Sequence, residues 1–140
     1  MYLLDTNVVS EPMRRSPDRR VQDWLDAQAV ETLYLSTISL SELLLGIEGL
    51  PAGKRRSALA ATLGQQVESL FEDRIISFDV AAAEAYAKVV MLARRNGCTI
   101  SVADGQIAAI AASRHLKIAS RDGAPFQAAG LVAINPWTAG

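Results

Sequence analysis

The 140-residue chain contains one cysteine, Cys98, and one histidine, His115. A lone cysteine excludes an intramolecular disulfide framework and a cysteine-based zinc site, and it suits a reducing cytoplasm. Cys98 reads as a small, partly buried side chain. A lone histidine excludes acid–base chemistry that needs a histidine pair, and His115, beside Arg114 and near Lys117, suits a surface or helix-end position. An excess of one charge is also missing. Fourteen Lys and Arg against fifteen Asp and Glu give a net charge of −1, so any nucleic-acid contact has to rest on local patches. No apolar run approaches the roughly 18 residues of a membrane span, and the N-terminus lacks the basic and apolar regions of a secretory signal; a soluble cytoplasmic protein is expected. Aromatics make up 6% of the chain, and no aromatic-rich strand for stacking bases is visible. Neither repeats, low-complexity tracts nor a dividing linker occur, which predicts one domain over residues 1–140. Half of the residues are hydrophobic and 21% are charged, enough to build a core of respectable size.

Short apolar runs alternate with longer segments of helical spacing. Met1 to Leu4, Leu33 to Leu35, Ile75 and Ile76, Lys117 to Ala119, and Leu131 to Ile134 read as strands. Between them, Val21, Trp24 and Leu25 mark one helix, and Leu40, Leu43, Leu44 and Ile47 mark a second, stopped by Gly49 and Pro51. A third runs from Ala52 to Leu70 with Leu59, Leu63, Val67 and Leu70 on one face. Val80 to Arg94 places Ala83, Tyr86, Ala87, Val90 and Met91 together, and Ile100 to Ser113 repeats the pattern with Ala103, Ile107, Ile110 and Ala111. Arg14 to Arg20 reads as an exposed loop, and in the tail NPWTAG Trp137 is expected to pack on the body, with the last three residues loose. Strands alternating with helices predict an α/β three-layer sandwich with a mainly parallel sheet of about five strands.

In such a sheet, sites form at the carboxyl ends of the strands. Asp5 ends the first strand in MYLLDTN, and Asp122 follows the strand Lys117 to Ala119. Glu42 in STISLSELL and Asp104 in CTISVADGQ are expected in first helical turns. All four acids can share one rim, where their repulsion calls for a cation, and hard oxygen donors select Mg2+ or Mn2+ over zinc. Each also has a plain structural explanation. Ser39 to Glu42 and Ser101 to Asp104 both have capping-box spacing, Asp5 can cap the next helix, and Asp122-Gly123 can be a turn. Among the other acids, Asp79 reads as an N-cap, and Glu48, Glu72, Asp73 and Glu84 as solvated charges.

LLDTNVVSE, LSTISLSELLLGIE, CTISVADGQIAAIAASRHLKIASRD and GLVAINPW, in this order over nearly the whole chain, resemble the PIN-domain family, in particular VapC-type and FitB-like toxins of bacterial toxin–antitoxin pairs. The resemblance implies a parallel sheet flanked by helices and a metal-dependent ribonuclease using Mg2+, with Mn2+ as a substitute. It also implies Asp5, Glu42, Asp104 and Asp122 as the catalytic, metal-holding acids, supported by Thr6, Asn7 and Ser120. Many relatives read Asn-x-x-Asp-Phe around the last acid, whereas this chain reads Arg121-Asp122-Gly-Ala-Pro-Phe126. Carboxylate-held magnesium can activate water, neutralise phosphoryl oxygens and stabilise the leaving oxygen without a histidine. Implied partners are an RNA substrate, a VapB- or FitA-like antitoxin whose tail places an Arg or Lys among the acids, operator DNA reached only through that antitoxin, and a second copy of the chain.

Two basic clusters are candidate RNA contacts: Arg14, Arg15, Arg19 and Arg20, and Lys54, Arg55 and Arg56. The row Leu43, Leu44, Leu45, Ile47 and Leu50 exceeds what one core-facing stripe needs, leaving part of it for a dimer or the antitoxin. Other magnesium phosphohydrolases fit less well. A haloacid-dehalogenase-type site wants Asp where Asn7 stands, and a receiver wants an acidic pair and a lysine that do not occur. A non-catalytic module that binds RNA or a partner and uses its acids as caps is the remaining alternative.

Overall fold

The computed structural model describes residues 1–139. Its strands β1 (Tyr2–Leu4), β2 (Leu33–Ser36), β3 (Ile75–Ile76), β4 (Lys117–Ala119) and β5 (Ala133–Ile134) form one sheet. The order is β3-β2-β1-β4-β5, and every pair is parallel. Central β1 pairs on both sides, Leu4 standing opposite Leu35 and Ala119. The last strand is shorter than its apolar run: it spans Ala133–Ile134, and Val132 joins β4 only through its carbonyl, which accepts the Ile118 N–H at 2.9 Å.

Right-handed crossovers decide where the helices go. From β1 the chain steps to β2 and β3 in one direction; β3 to β4 and β4 to β5 run in the other, so the two sets of helices cover opposite faces. On the first face lie α1 (Thr6–Ser10), α2 (Arg19–Asp26), α3 (Thr37–Glu48) and α4 (Lys54–Gln66), the last continued by a π turn over Val67–Phe71. On the second lie α5 (Val80–Arg95), α6 (Val102–Ser113) and α7 (Ala124–Ala128). Strand residues alternate between the two cores as the pleat requires. Leu3 and Ile118 pack with Val90, Ile107, Ile110 and Phe126, whereas Leu4 and Leu35 pack with Val8, Leu43, Leu63 and Phe71. Among the described residues no helix is long and apolar enough to cross a membrane.

Three expectations shift. Arg19 and Arg20 open α2, capped by the Asp18 side chain, so the exposed loop is confined to residues 14–18. The buried face of α5 is Ala82, Val89, Val90 and Ala93, with Ala83, Ala87 and Met91 turned to solvent; the alanine-rich first half offers too little contrast to fix the helix's rotation. Thr138 and Ala139 are not loose, because both backbone N–H groups donate to the Asn135 carbonyl. Gly140 lies outside the described residues. Trp137 does pack on the body, 4% exposed.

Candidate active site

The strand order reverses between β1 and β4, and a crevice opens at the carboxyl ends of those strands. Asp5 leaves β1 there and caps α1: its Oδ1 accepts the Thr6 N–H at 2.8 Å. From the next strand, the buried Ser120 hydroxyl donates to Asp5 Oδ2 at 2.7 Å. The same Ser120 oxygen accepts the Asp122 N–H at 3.2 Å, which ties the fourth acid's backbone to the first acid's side chain. Asp104 lies in the first turn of α6, where Ser101 Oγ accepts its N–H at 3.1 Å. Next to it, Gly105 lets α5 come close: a Cβ there would meet Tyr86 Cε2 at 3.0 Å.

Glu42 does not cap its helix. α3 starts at Thr37, directly after β2, and its cap is Ser36, whose hydroxyl accepts the Ser39 N–H at 3.0 Å. The expected box between Ser39 and Glu42 is therefore one turn out of place. Glu42 stands on the second turn with its carboxylate turned to the crevice, where Thr6 Oγ1 donates to Oε1 at 2.8 Å.

Asp5, Glu42, Asp104 and Asp122 line one cleft of about 310 Å³ together with Thr6, Asn7 and Ser10. The four acids do not close on a common point. Among the described residues no three Asp, Glu, His or Cys side chains are drawn together tightly enough for an ion, as expected when no opposite charge among the lining residues offsets their repulsion. The donors nevertheless suit a hard divalent cation: all are oxygens, and Asn7 Oδ1, buried in the same wall, has no hydrogen-bond partner.

Burial raises the Asp5 carboxyl above its ordinary range; hydrogen bonds from Ser120 and Thr6 lower it, and the charges of Glu42 and Asp122 push it up again. Asp104 is also raised, first by burial and then by the charge of Asp5. A carboxyl whose folded-state value is raised binds its proton more tightly folded than unfolded. Its ionisation therefore lowers stability, with no cost below the unfolded value near 3.8 and the full cost above the raised value. For the metal-free protein, the melting temperature of Asp104→Asn minus that of wild type should grow as pH rises from 4 to 7. A difference that shrinks over this range contradicts the assignment.

The basic clusters separate once folded. Arg19 pairs with Asp23, Arg56 with Glu48, and Arg20 forks onto Asp18 and holds that carboxyl down at about 2. Arg15 and Lys54 are exposed. Only Arg14 and Arg55 line the groove next to the acids.

Three polar residues that shape this end of the sheet or its loops escaped the reading of the sequence. Ser10 lines the cleft from α1, and its position three and four residues after Asn7 and Thr6 was a usable signal. Ser36 hides its hydroxyl as the cap of α3. Glu11, only 3% exposed, accepts from Arg14 Nη1 at 3.2 Å and from the Asp18 N–H at 3.3 Å, and so anchors the loop of residues 14–18. Nothing in its sequence neighbourhood announces that burial.

Comparison with known proteins agrees with this architecture. The PIN domain model matches residues 2–131. Plasmid stability protein StbB of Pseudomonas syringae pv. tomato is 50% identical over 99% of this chain and 100% of its own length. VapC ribonuclease Y4jK of Sinorhizobium fredii is 46% identical over 98% of both chains. Toxin FitB of Neisseria gonorrhoeae is 44% identical over 98% of this chain and 99% of its own, and the crystal structure of FitAcB from the same organism superposes with a TM-score of 0.94 over 99% and 100% of the two chains, at 44% identity.

Proposed function

Because the chain belongs to the PIN-domain family, among its VapC- and FitB-like toxins, we propose that it is a metal-dependent endoribonuclease silenced by a cognate antitoxin. The observation that carries this reading is the cleft itself, lined by four acids from the ends of β1 and β4 and from α3 and α6.

Asp5 and Asp104 would hold Mg2+ or Mn2+, joined by Asp122 directly or through water and by Glu42 as ligand or water-positioning group. When bound, such a cation offsets phosphoryl charge and lowers the pKa of water. The protein's own contribution is preorganisation. Ser120 fixes one oxygen of Asp5 and the backbone of Asp122, Thr6 fixes Glu42, and the Ser101 cap fixes the backbone at Asp104.

The antitoxin we expect is VapB- or FitA-like and reaches the acids with an Arg or Lys, since a guanidinium or ammonium group offsets the same charge a metal would. With a net charge of −1, the chain itself has no field for duplex DNA, so operator DNA would be reached through the antitoxin. Leu43 and Ile47 of α3 are buried, but Leu44 and Leu45 are 50% and 73% exposed; this face suits a homodimer or the antitoxin. The cytoplasm is the compartment that supplies RNA and a partner encoded alongside.

The test is cleavage by the purified chain. RNA should be cut in Mg2+ or Mn2+, spared in EDTA, and spared again once the antitoxin is added. Binding without cleavage in either metal would favour the non-catalytic module.

A further inference from the structure

Beside the acid cleft runs a second groove of about 330 Å³, and the two share Thr6, Ser10 and Glu42 as a common wall. Its remaining lining is Met13, Arg14, Leu43, Gly46, Ile47, Arg55 and Leu59. The floor is apolar, since Met13, Leu43, Ile47 and Leu59 belong to the core on this face of the sheet. The rim is cationic, and among the described residues Arg14 and Arg55 are the basic ones lining the two compartments. Arg14 is also held in place: buried Glu11 takes one of its donors, and the remaining N–H groups of the guanidinium stay free.

Resting on the ribonuclease reading, we propose that this groove is a nucleotide subsite, in which Arg14 and Arg55 take the phosphate next to the scissile one and the apolar floor takes its base. A cleft lined by four acids repels an RNA strand, and among the described residues lining it or the groove beside it the cations that offset this repulsion are Arg55 and Arg14, the latter sharing its charge with Glu11. An apolar floor lets a base be held by surface contact, without hydrogen bonds to its edges.

The experiment uses Asp5→Asn protein, which leaves RNA intact, and a fluorescein-labelled, random-sequence 12-nucleotide single-stranded RNA followed by anisotropy across a salt series. Arg14→Gln and Arg55→Gln should each weaken binding about 3- to 10-fold and flatten the log–log salt slope by about 0.7. Lys88→Gln and Arg95→Gln, on α5 across the sheet, should change neither. An otherwise identical RNA carrying abasic sites should lose affinity in the parent protein. Equal losses from all four variants would show diffuse attraction and overturn the subsite. Unchanged RNA binding by the Arg14 and Arg55 variants, with weakened capture of the antitoxin, would make the groove a protein-docking surface and overturn it as well. Metal-dependent cleavage by the wild type, absent in Asp5→Asn, checks the underlying reading separately. If the wild type never cleaves RNA, that reading falls and the subsite with it; if it cleaves and the arginine variants bind like their parent, only the subsite falls.

Discussion

Asp5→Asn is expected to lower RNA cleavage by roughly 10²- to 10³-fold or more and, in the metal-free protein at neutral pH, to raise the melting temperature. The two effects have one cause. Asp5 is a buried carboxylate whose ionised form is disfavoured by burial and by the charges of Glu42 and Asp122, so the site carries a cost that only a cation offsets. Asparagine keeps the contacts that matter for folding. Its Oδ1 still accepts the Thr6 N–H, and its amide group donates to Ser120 Oγ where the hydroxyl had donated before. Removing the charge should stabilise the metal-free chain by on the order of 1 kcal/mol, or roughly 3–5 °C at this size. Millimolar Mn2+ should raise the wild-type melting temperature and leave the variant's almost unchanged, because a ligand stabilises only the state that binds it. Thermal denaturation with and without Mn2+, beside a cleavage assay, reads all three quantities. Cleavage that survives in Asp5→Asn would end the proposed mechanism, and a clear drop in melting temperature would return Asp5 to the ordinary role of a helix cap.

That contrast bears on what was legible in the sequence: the meeting of the acids on one rim and the Asp5 cap were, whereas the capping frame around Glu42 was not. Asp5 stands where an apolar strand ends without a turn residue, and Asp104 interrupts a helix of Ile and Ala; both violate the local pattern, and both line the cleft. The strand-and-helix alternation likewise fixed a parallel sheet, because short buried runs separated by helices leave few other arrangements. Cap assignment was harder. Ser36, Ser39 and Glu42 lie so close together that spacing alone admits two frames, and the choice was made by β2, whose pairing with β1 and β3 carries it through Ser36. In that frame Glu42 is freed from capping and meets Thr6 across 36 positions of sequence. The rotation of α5 was obscured for a different reason: alanines bury or expose with little difference in free energy, so they carry almost no positional signal. Glu11 was invisible because its partners, Arg14 and the Asp18 N–H, are supplied by the bend of the loop.

The C-terminal segment reaches the same site through its backbone. Trp137 is buried against Leu4 and Ala119 in the core on the α1–α4 face, and the Arg121 guanidinium lies 5.1 Å from its ring. Asn135 joins the two: its Oδ1 accepts the Trp137 N–H at 2.8 Å and its Nδ2 donates to the Arg121 carbonyl at 3.1 Å. Trp137→Ala should therefore cost about 3–5 kcal/mol, as large aromatic truncations in cores do, which is roughly 10–20 °C in melting temperature. It should also loosen the segment that presents Asp122. Phe71→Ala supplies the comparison, since Phe71 is equally buried in the same core but packs at the far end of α4. Both variants should lose similar stability. Assayed well below their transitions, only Trp137→Ala should lose kcat, by about 5- to 20-fold, while Trp137→Phe should recover most of both quantities by refilling the core and restoring a ring beneath Arg121. If the two alanine variants keep equal kcat, the tail contributes packing alone and Asp122 is held by Ser120 without it.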